Sequence, residues 1–333
     1  MANEKKAKGL SLFSGGLDSQ LAIRVLERAG AYIEAITFVT PFFPADKAIA
    51  EAKKLGVKLH LIDFTDDEVA LIENPPHGFG SAMNPCIDCH ATMMKRAGEL
   101  MNTLGFDFIA TGEVINQRPM SQNKQALKTV EKSSGLEGRL VRPLSALLLD
   151  PSIPEQEGLI DRTKLCDLSG RRRERQAELA KELGITDYPS PGGGCKLTED
   201  GFSRRLRDLM EHETLHERRL LDLLSVGRRF RLEKGSSLIL GRDVNDNRLL
   251  ASKSIDSDTV ISPVSVPGPT GIIPRLISDE DMFDAAQIVC AWSKFDRFTG
   301  DAIVVKVTNN QNSREIKILP PYEREKFLPY QVL

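Results

Sequence analysis

Six consecutive residues, Ser14-Gly15-Gly16-Leu17-Asp18-Ser19, have the composition of a phosphate-binding loop. They follow a short apolar run and lead into an amphipathic segment, so the pattern predicts a turn between a buried strand and a helix. The glycines permit close approach to the backbone, and the free N–H groups of a helix N-terminus attract anions. The loop has neither the Walker spacing nor the Gly-x-Gly-x-x-Gly dinucleotide spacing. It therefore predicts a site for nucleotide phosphates, and the alternative is a well-capped turn without a ligand.

Three of the five cysteines are spaced as candidate ligands or redox groups. Cys86 and Cys89 form a Cys-x-x-Cys pair in a proline-containing loop, just ahead of a helix predicted to begin near His90. Two thiols at that spacing can bind one metal centre, and a helix N-terminus lowers the pKa of nearby thiols. Cys195 ends the glycine-rich segment 191–195, whose small residues allow the backbone to pack closely on a cofactor.

The number of thiols separates the possible chemistries of this site. Three thiolates can hold a [4Fe–4S] cluster with one iron left open, whereas structural zinc normally requires four protein ligands. A redox-active pair that carries a persulfide is a second interpretation, and structural zinc or inert cysteines is a third. For zinc, Cys166, His77 or His90 can supply the fourth ligand. The apolar surroundings of Cys290 and Cys166 favour core packing.

The elements that must position these residues alternate between apolar runs and segments of helical period. We predict strands at 9–13, 32–39, 57–62 and 107–110, and helices at 17–29, 46–55, 90–104, from about 121, and 171–183. Strands that alternate with helices predict a parallel sheet covered on both faces, an α/β doubly wound fold. The site is expected along the edge where the strands end.

A second, smaller α+β domain is expected because the pattern changes after residue 220. Short β-like runs at 229–232, 237–240 and 259–261 precede a helix predicted at 279–292, with Ser278 as its N-cap, and a strand at 303–307. We assign most of the charged, helical segment at 202–224 to the first domain. The predicted domains are therefore residues 1–220 and 221–333.

The composition is that of an ordinary globular protein, with a formal net charge of −2 over 333 residues. Basic residues are nevertheless bunched at 171–175, 204–207 and 218–231, and the local field of such bunches matters more than the overall charge. No apolar run approaches the ~20 residues that span a bilayer, and the Lys-rich N-terminus lacks the apolar stretch of a signal peptide. We therefore expect a cytoplasmic protein that does not contact the membrane.

The loop at Ser14 resembles that of the N-type ATP pyrophosphatases, or PP-loop enzymes, which cleave ATP between its α and β phosphates. Three further segments resemble tRNA thiouridine synthases. Ile109-Ala110-Thr111-Gly112-Glu113 with Ser121-Gln122, and Arg142-Pro143-Leu144, are similar to the 4-thiouridine type, and Asn84-Pro85-Cys86 is similar to the 2-thiouridine type. The motifs occur in matching order, and the implied fold is adenine nucleotide alpha hydrolase-like.

This resemblance implies roles for individual residues. Asp18 is expected to support the Mg²⁺-bound pyrophosphate. Phe38 ends a strand that holds adenine through its backbone in relatives, although its side chain fits the core equally well. The implied ATP-binding residues are Ser14, Gly15, Gly16, Asp18, Ser19, Phe38, Thr111 and Gly112. Cys86, Cys89 and Cys195 match the three cluster ligands of the iron–sulfur members, with zinc as the alternative metal.

The implied reaction is the ATP-dependent thiolation of a tRNA uridine. ATP adenylates a uracil carbonyl oxygen and releases pyrophosphate, and sulfide or a persulfide then attacks the carbon as AMP leaves. In the iron–sulfur members the open iron of the cluster carries the sulfide. The basic segment 171–175 is expected to approach the tRNA phosphates. The resemblance leaves open the sulfur donor, either sulfide or a persulfide-carrying protein, as well as the modified uridine and the oligomeric state.

The C-terminal domain resembles the RNA-binding domain of the NFACT proteins. The resemblance rests on Phe230-Arg231-Leu232, on residues 238–243 and on Asn245. The alternative is a small packing or dimerisation domain. For the whole chain, two other functions stay open: a PP-loop adenylating ligase that acts on a small molecule, and a non-enzymatic RNA- or ribosome-binding factor with a relict nucleotide site.

Two other groups of residues favour ordinary roles. His212 and His216 have the i, i+4 spacing of a metal-binding pair, but their glutamate neighbours favour a solvated helix face. Trp292, with Lys294, Phe295 and Arg297 nearby, has a composition suited to base stacking. Core packing of Trp292 is the simpler interpretation.

Overall fold

The protein, seen here as a computed structural model, consists of two compact units, Met1–Thr198 and Glu199–Leu333. The structure describes residues 6–118, 121–190, 194–275, 277–296, 298–310 and 312–333. Arg297 and residues 191–193 of the predicted glycine-rich segment lie outside this set. Over the described ranges, no helix combines the length and apolar character needed to cross a membrane.

The first unit is a parallel sheet with flanking helices. Its strands are β1 (Lys8–Leu12), β2 (Tyr32–Val39), β3 (Leu59–Asp63), β4 (Phe108–Ala110) and β5 (Leu140–Val141). Its helices are α1 (Leu17–Arg28), α2 (Asp46–Leu55), α3 (Thr65–Glu73), α4 (Cys86–Leu104), α5 (Lys124–Ser134), α6 (Ile153–Gln156) and α7 (Glu174–Glu182). Short 3-10 turns lie at Ala146–Leu148, Arg162–Lys164 and Lys196–Thr198.

The five strands run parallel in the order β3-β2-β1-β4-β5. Successive side chains of β2 point to opposite faces, as strand geometry requires. Ile33 and Ala35 join a core cluster with residues of α1, α2 and α7, whereas Ile36 and Phe38 join a second cluster with residues of α4 and α5. Both faces of the sheet are therefore covered, which confirms the predicted α/β doubly wound fold.

Helix α4 begins earlier than predicted, and this changes the setting of the cysteine pair. Cys86 and Cys89 lie in the first turn of α4 and not in a loop ahead of His90. The Cys89 N–H donates to the Pro85 carbonyl oxygen at 2.8 Å, so the helical bonding starts directly after this proline. A proline loses nothing there, because the first N–H groups of a helix have no intrahelical partner. The sequence patterns also did not predict α3 or the two-residue strand β5.

The second unit is an antiparallel sheet with helices, which confirms the predicted α+β class. Its strands are β6 (Arg228–Arg231), β7 (Ser237–Leu240), β8 (Thr259–Pro263), β9 (Gly271–Ile273), β10 (Ile303–Asn309), β11 (Asn312–Ile318) and β12 (Gln331–Val332), in the order β11-β10-β8-β9-β7-β6-β12. Its helices are α8 (Asp200–His212), α9 (Arg218–Leu223), α10 (Val244–Lys253) and α11 (Asp279–Ala291), and a 3-10 turn lies at Glu325–Tyr330.

Helix α11 supplies much of the core of the second unit. Its N-cap is Ser278, as predicted, and the Ser278 Oγ accepts a hydrogen bond of 3.2 Å from the Asp281 N–H. Cys290 is fully buried in this core, and Trp292 packs against the same cluster with its ring edge toward Phe230. Both residues therefore have the packing role that the sequence favoured.

The two units divide at Thr198/Glu199, earlier than the predicted division at 220/221. Ion pairs join the segment after residue 199 to the second unit. Asp208 of α8 accepts hydrogen bonds from Arg229 (2.8 Å) and Arg231 (2.7 Å) of β6. Glu213, just after α8, accepts another from Arg229 at 2.9 Å. Arg229 is buried, and a buried arginine needs its ion-pair partners. Helix α8 supplies Asp208 to it and therefore belongs to the second unit.

Candidate active site

The phosphate loop connects β1 to α1 in the predicted place. Gly15 has φ +71°, and a Cβ at this position would lie 2.9 Å from the Lys47 carbonyl oxygen, so only glycine fits. Gly16 is the N-cap of α1. The Ser14 Oγ accepts from the Gly16 N–H at 3.3 Å, and the Ser19 Oγ donates to the Gly16 carbonyl oxygen at 2.9 Å. The two serine hydroxyls thus lie on the same turn, 3.5 Å apart.

A buried glutamine holds this loop on the fold. Gln20 Nε2 donates to the Gly15 carbonyl oxygen at 3.1 Å and to Glu51 Oε2 of α2 at 3.3 Å. Both side chains are almost fully buried, where hydrogen bonds between polar groups are strong and costly to lose. Gln20 therefore ties the phosphate loop to α2 through its carbonyl side. The backbone N–H groups of the loop can then bind an anion.

Asp18 lies in the first turn of α1 with its carboxylate only half satisfied. Its Oδ2 accepts a hydrogen bond of 2.9 Å from Gln117 Nε2 and lies 3.4 Å from Arg173 Nη2. Its buried Oδ1 has no hydrogen-bond partner among the described residues. A buried unpaired carboxylate oxygen is costly, so this atom is a natural ligand for a cation or a hydrogen-bond donor of a substrate.

The segment after β4 packs directly on the phosphate loop. A Cβ on Gly112 would lie 2.7 Å from the backbone of Asp18 and of Ser19, so the two backbones touch only because residue 112 is glycine. Next to it, the Thr111 Oγ1 donates to Glu113 Oε2 at 3.0 Å. Thr111 and Gly112, two predicted nucleotide-binding residues, therefore adjoin the loop in the structure.

Glu113 joins this segment to two other elements. Its carboxylate is bonded by Arg142 Nε at 3.0 Å, and Arg142 also bonds Glu131 of α5 at 2.9 Å. Burial alone would raise the pKa of Glu113, but the charges of Arg142 and His90 lower it to about 2. His90 Nδ1 lies 3.7 Å from Glu113 Oε1. The segment 111–113 thus contacts the phosphate loop on one side and the residue that follows Cys89 on the other.

Cys86 and Cys195 both lie close enough to Cys89 to influence the pKa of its thiol. Burial raises the pKa of the Cys89 thiol well above its ordinary value, and the charges of Glu68, Cys195 and Cys86 raise it further. The sequence predicted the opposite direction from the helix N-terminus, and for Cys89 that prediction is wrong because desolvation outweighs the helix dipole. The Asn84 Nδ2 donates to the Cys86 Sγ at 3.1 Å.

The donor set suits a metal centre in its chemistry. Thiolates are ligands of iron–sulfur clusters and of zinc, and a cation among these thiols would relieve the repulsion that raises the pKa of Cys89. Among the described residues, however, no group of three or more His, Cys, Asp or Glu side chains has the arrangement of a metal site. Of the candidate fourth ligands, His77 is engaged, with its Nδ1 2.6 Å from Asp88 Oδ1. His90 Nδ1 lies 3.7 Å from Glu113 Oε1 and has no hydrogen-bond partner among the described residues.

Three other residues that the sequence offered as possible functional residues contact only neighbouring parts of the fold. The Phe38 side chain is buried edge-on against Phe64 with ring centroids 5.2 Å apart, which is a core position. Cys166 is half-buried and packs against the core of the first unit. His212 Nδ1 lies 2.9 Å from the carbonyl oxygen of Asp208 on the same helix.

Two residues of the loop site were missed or assigned elsewhere by the sequence analysis. Gln117 contacts Asp18 although no motif includes it; its position shortly after β4 is a signal, because strand ends of a parallel sheet converge. Arg173 was predicted only as part of the basic segment 171–175 that contacts tRNA phosphates. In the structure its Nη2 lies 3.4 Å from Asp18 Oδ2.

The first unit is a parallel sheet with a glycine-rich loop between its first strand and first helix, which is the arrangement expected of a PP-loop domain. Residues 5–148 match the family model described as thiamine biosynthesis protein (ThiI), and residues 227–330 match the model described as NFACT protein RNA binding domain. The first unit therefore contains a ThiI-family domain, and the second contains an NFACT-type domain.

Curated relatives agree with this assignment. A probable tRNA sulfurtransferase of Acholeplasma laidlawii is 30% identical over 149 residues, which cover 41% of this chain and 34% of the relative. The tRNA-specific 2-thiouridylase MnmA of Haemophilus influenzae is 24% identical over 296 residues, which cover 79% of this chain and 74% of the relative. The match spans about a third of the length of the sulfurtransferase relatives.

Solved structures with similarity include a 4-thiouridine synthetase–RNA complex with bound ATP. It is 20% identical with a TM-score of 0.35, and the alignment covers 54% of this chain and 52% of that one. The C-terminal part of the fibronectin/fibrinogen-binding protein from Streptococcus suis is 12% identical with a TM-score of 0.29, covering 80% of this chain and 95% of that one.

Proposed function

We propose that this chain is an ATP-dependent tRNA sulfurtransferase that replaces a uracil carbonyl oxygen with sulfur. The observation that carries the proposal is the segment 111–113, which packs on the phosphate loop through Gly112 and faces His90 through Glu113. It links the candidate ATP site to the turn that bears Cys86 and Cys89. A thiolation enzyme needs these two sites side by side, because the carbon activated by ATP must then meet sulfur.

The first step is adenylation at the phosphate loop. The uracil oxygen attacks the α-phosphorus of ATP, and the bond to the β,γ-pyrophosphate breaks. The loop N–H groups, with the hydroxyls of Ser14 and Ser19, stabilise the charge of the leaving pyrophosphate. Asp18, through its unpaired Oδ1, would hold the Mg²⁺ that accompanies it. Arg173, 3.4 Å from Asp18, would bond a phosphate oxygen of the ATP.

The second step exchanges oxygen for sulfur. A sulfur nucleophile attacks the activated carbon, and the C–O bond breaks as AMP departs with the original oxygen. Cys86, Cys89 and Cys195 would hold a [4Fe–4S] cluster, which supplies an open iron position where sulfide can bind. One alternative is a persulfide on Cys86 or Cys89, received from a sulfur-carrying protein. Its outer sulfur would attack the carbon, the other thiol of the pair would then cleave the S–S bond by forming a Cys86–Cys89 disulfide, and an external thiol reductant would regenerate the pair. The other alternative is zinc in place of the cluster.

We propose tRNA as the substrate because of the positive charge at residues 171–175 and the similarity to tRNA-modifying relatives. Arg171, Arg172 and Arg175 are exposed beside Arg173, and such residues supply the sequence-independent part of RNA affinity. The NFACT-type domain match of the second unit, and the names of the curated relatives, point to the same substrate.

The test is nucleoside analysis of tRNA from a strain without this gene, complemented with variants. We expect one thiolated uridine to disappear, to return with the wild-type gene, and to stay at least about tenfold reduced with Asp18→Asn, because an uncharged amide binds Mg²⁺ poorly. Asp66→Asn, which changes an exposed acid at the start of α3, is the matched control and should restore the nucleoside. Unchanged nucleosides in the deletion strain would contradict the proposal, and pyrophosphate release without tRNA would favour a small-molecule ligase.

A further inference from the structure

Four arginines of the second unit, from separate parts of the sequence, lie near one another. We call them the arginine cluster: Arg205 of α8, Arg228 at the start of β6, Arg242 just after β7, and Arg324 just before the last 3-10 turn. Arg205 Nη1 donates to the Leu224 carbonyl oxygen at 3.1 Å, and Arg242 Nη2 donates to that of Ser225 at 3.5 Å. Two members thus bond adjacent carbonyl groups, which fixes them side by side.

The charges of the cluster repel one another. Burial lowers the pKa of Arg228, and the charges of Arg242 and Arg324 lower it further. Burial likewise lowers the pKa of Arg205, followed by the charges of Arg242 and Arg229. In the described part of the chain, the one carboxylate that forms an ion pair with a member is Asp246, which bonds Arg242 at 2.6 Å. Glu199 also raises the pKa of Arg205, and Asp243 that of Arg242, so three nearby carboxylates oppose the four arginines and positive charge is in slight excess.

Neighbouring arginines in the same stretch of sequence are neutralised. Arg229 and Arg231 share the carboxylates of Asp208 and Glu213, at distances of 2.7 to 3.2 Å. These two arginines hold α8 to the sheet and are satisfied by it. Arg228 has no such acid among the described residues, although it is only one position away along β6. Within β6, Arg229 and Arg231 therefore form structural ion pairs, whereas Arg228 forms none with the described residues.

Trp292 helps to define what the cluster can bind. Arg324 lies over its ring at 5.7 Å from the centroid, and Phe230 contacts it from another side. The ring is thus occupied by a cation and by the core, so it does not offer a free face to a nucleobase. Guanidinium groups instead match phosphate oxygens in geometry and charge.

We propose that the arginine cluster binds the phosphate backbone of the RNA substrate, without reading its bases. This inference rests on the proposed function in taking RNA as the substrate. Several guanidinium groups held close together gain most from a polyanion, because each phosphate contact relieves their mutual repulsion and releases counterions. The second unit would then supply affinity, and sequence selection would come from elsewhere.

The test measures binding of fluorescently labelled tRNA by the full chain, without ATP, across a salt series. Arg228→Gln should weaken binding about tenfold and lower the slope of log K against log salt by about 1, because one phosphate contact is lost. Arg228→Lys keeps the charge and should retain most of the slope. The matched control is Arg314→Gln, which removes an exposed arginine from β11 at the opposite edge of the sheet.

The outcomes separate this inference from the proposed function. If Arg228→Gln matches wild type in affinity and slope, or if Arg314→Gln is equally damaging, the cluster is not the phosphate site, whatever the nucleoside analysis gives. If Arg228→Gln weakens tRNA binding while the deletion strain keeps all its thiolated nucleosides, the cluster stands and the proposed reaction fails. Equal melting temperatures of the variants exclude unfolding as the cause.

Discussion

At the scale of single residues, Gly112 is the position where the segment after β4 contacts the backbone of the phosphate loop. Alanine there would place a Cβ 2.7 Å from the backbone of Asp18 and Ser19, so the phosphate loop must shift. We expect Gly112→Ala to slow pyrophosphate release at least about tenfold, since small displacements of positioning groups are costly. Gly201→Ala is the control, because its Cβ meets nothing within 4 Å. Equal rates for both variants would argue against contact between these segments.

The residues of the phosphate loop were predictable because their chemistry lies in consecutive positions. Gly15 needs a positive φ, and the Ser19 Oγ donates to the Gly16 carbonyl oxygen within the same turn, so sequence and geometry coincide. Gln117 was not predictable in this way, since it reaches Asp18 across 99 residues. The pKa of Cys89 was also beyond a local argument, because burial among Glu68 and the other thiols decides it.

At the scale of elements, Arg142 holds the end of β4, helix α5 and strand β5 together. Replacing it by methionine leaves Glu113 buried without its main counter-charge, so we expect Arg142→Met to lose about 3–5 kcal/mol in the free energy of unfolding. Denaturant unfolding measures this loss. Arg139→Met, at an exposed arginine near the same strand, is the control and should change stability little.

The same variant has a signature in its pH dependence. In the wild type the pKa of Glu113 is lowered from 4.5 to about 2, so its contribution to stability is complete above 4.5 and is lost as the pH falls toward 2. Without Arg142 that lowered pKa is lost. The stability difference between wild type and Arg142→Met should therefore narrow as the pH falls from 4.5 toward about 2. A difference that is constant with pH would show that packing, and not charge, is responsible.

Element types were predictable from hydrophobic period, and their ends depended on tertiary partners. The strands and helices of the first unit alternate strongly enough to predict the parallel sheet. Helix α4 was predicted too short because Pro85 and the cysteines resemble a loop, although a helix can start directly after proline. Strand β5 has two residues, and it exists because Ile109 and Ala110 of β4 pair with it.

At the scale of the whole molecule, the charged segment around α8 decides where the second unit begins. Its sequence resembles a solvated helix, which led to a predicted division at 220/221. In the structure Asp208 is largely buried and ion-paired to Arg229 and Arg231, and these pairs cross a sequence gap that local patterns do not reveal. Helix α8 therefore contributes to the stability of the second unit.

Two fragments test this division. A fragment of residues 199–333 should unfold in one cooperative transition. Residues 221–333 should be unstable, because that fragment lacks Asp208 and Glu213, the ion-pair partners of Arg229, and the buried Leu206 and Leu209 of α8. Breaking a buried ion pair costs about 3–5 kcal/mol, a large part of the stability of a domain of this size. Within the longer fragment, Asp208→Asn should lower the melting temperature strongly, and Glu211→Gln, at an exposed acid of the same helix, should not. If residues 221–333 melt as cooperatively and at the same temperature as residues 199–333, α8 is not required by the second unit and the division near 220 is the better one.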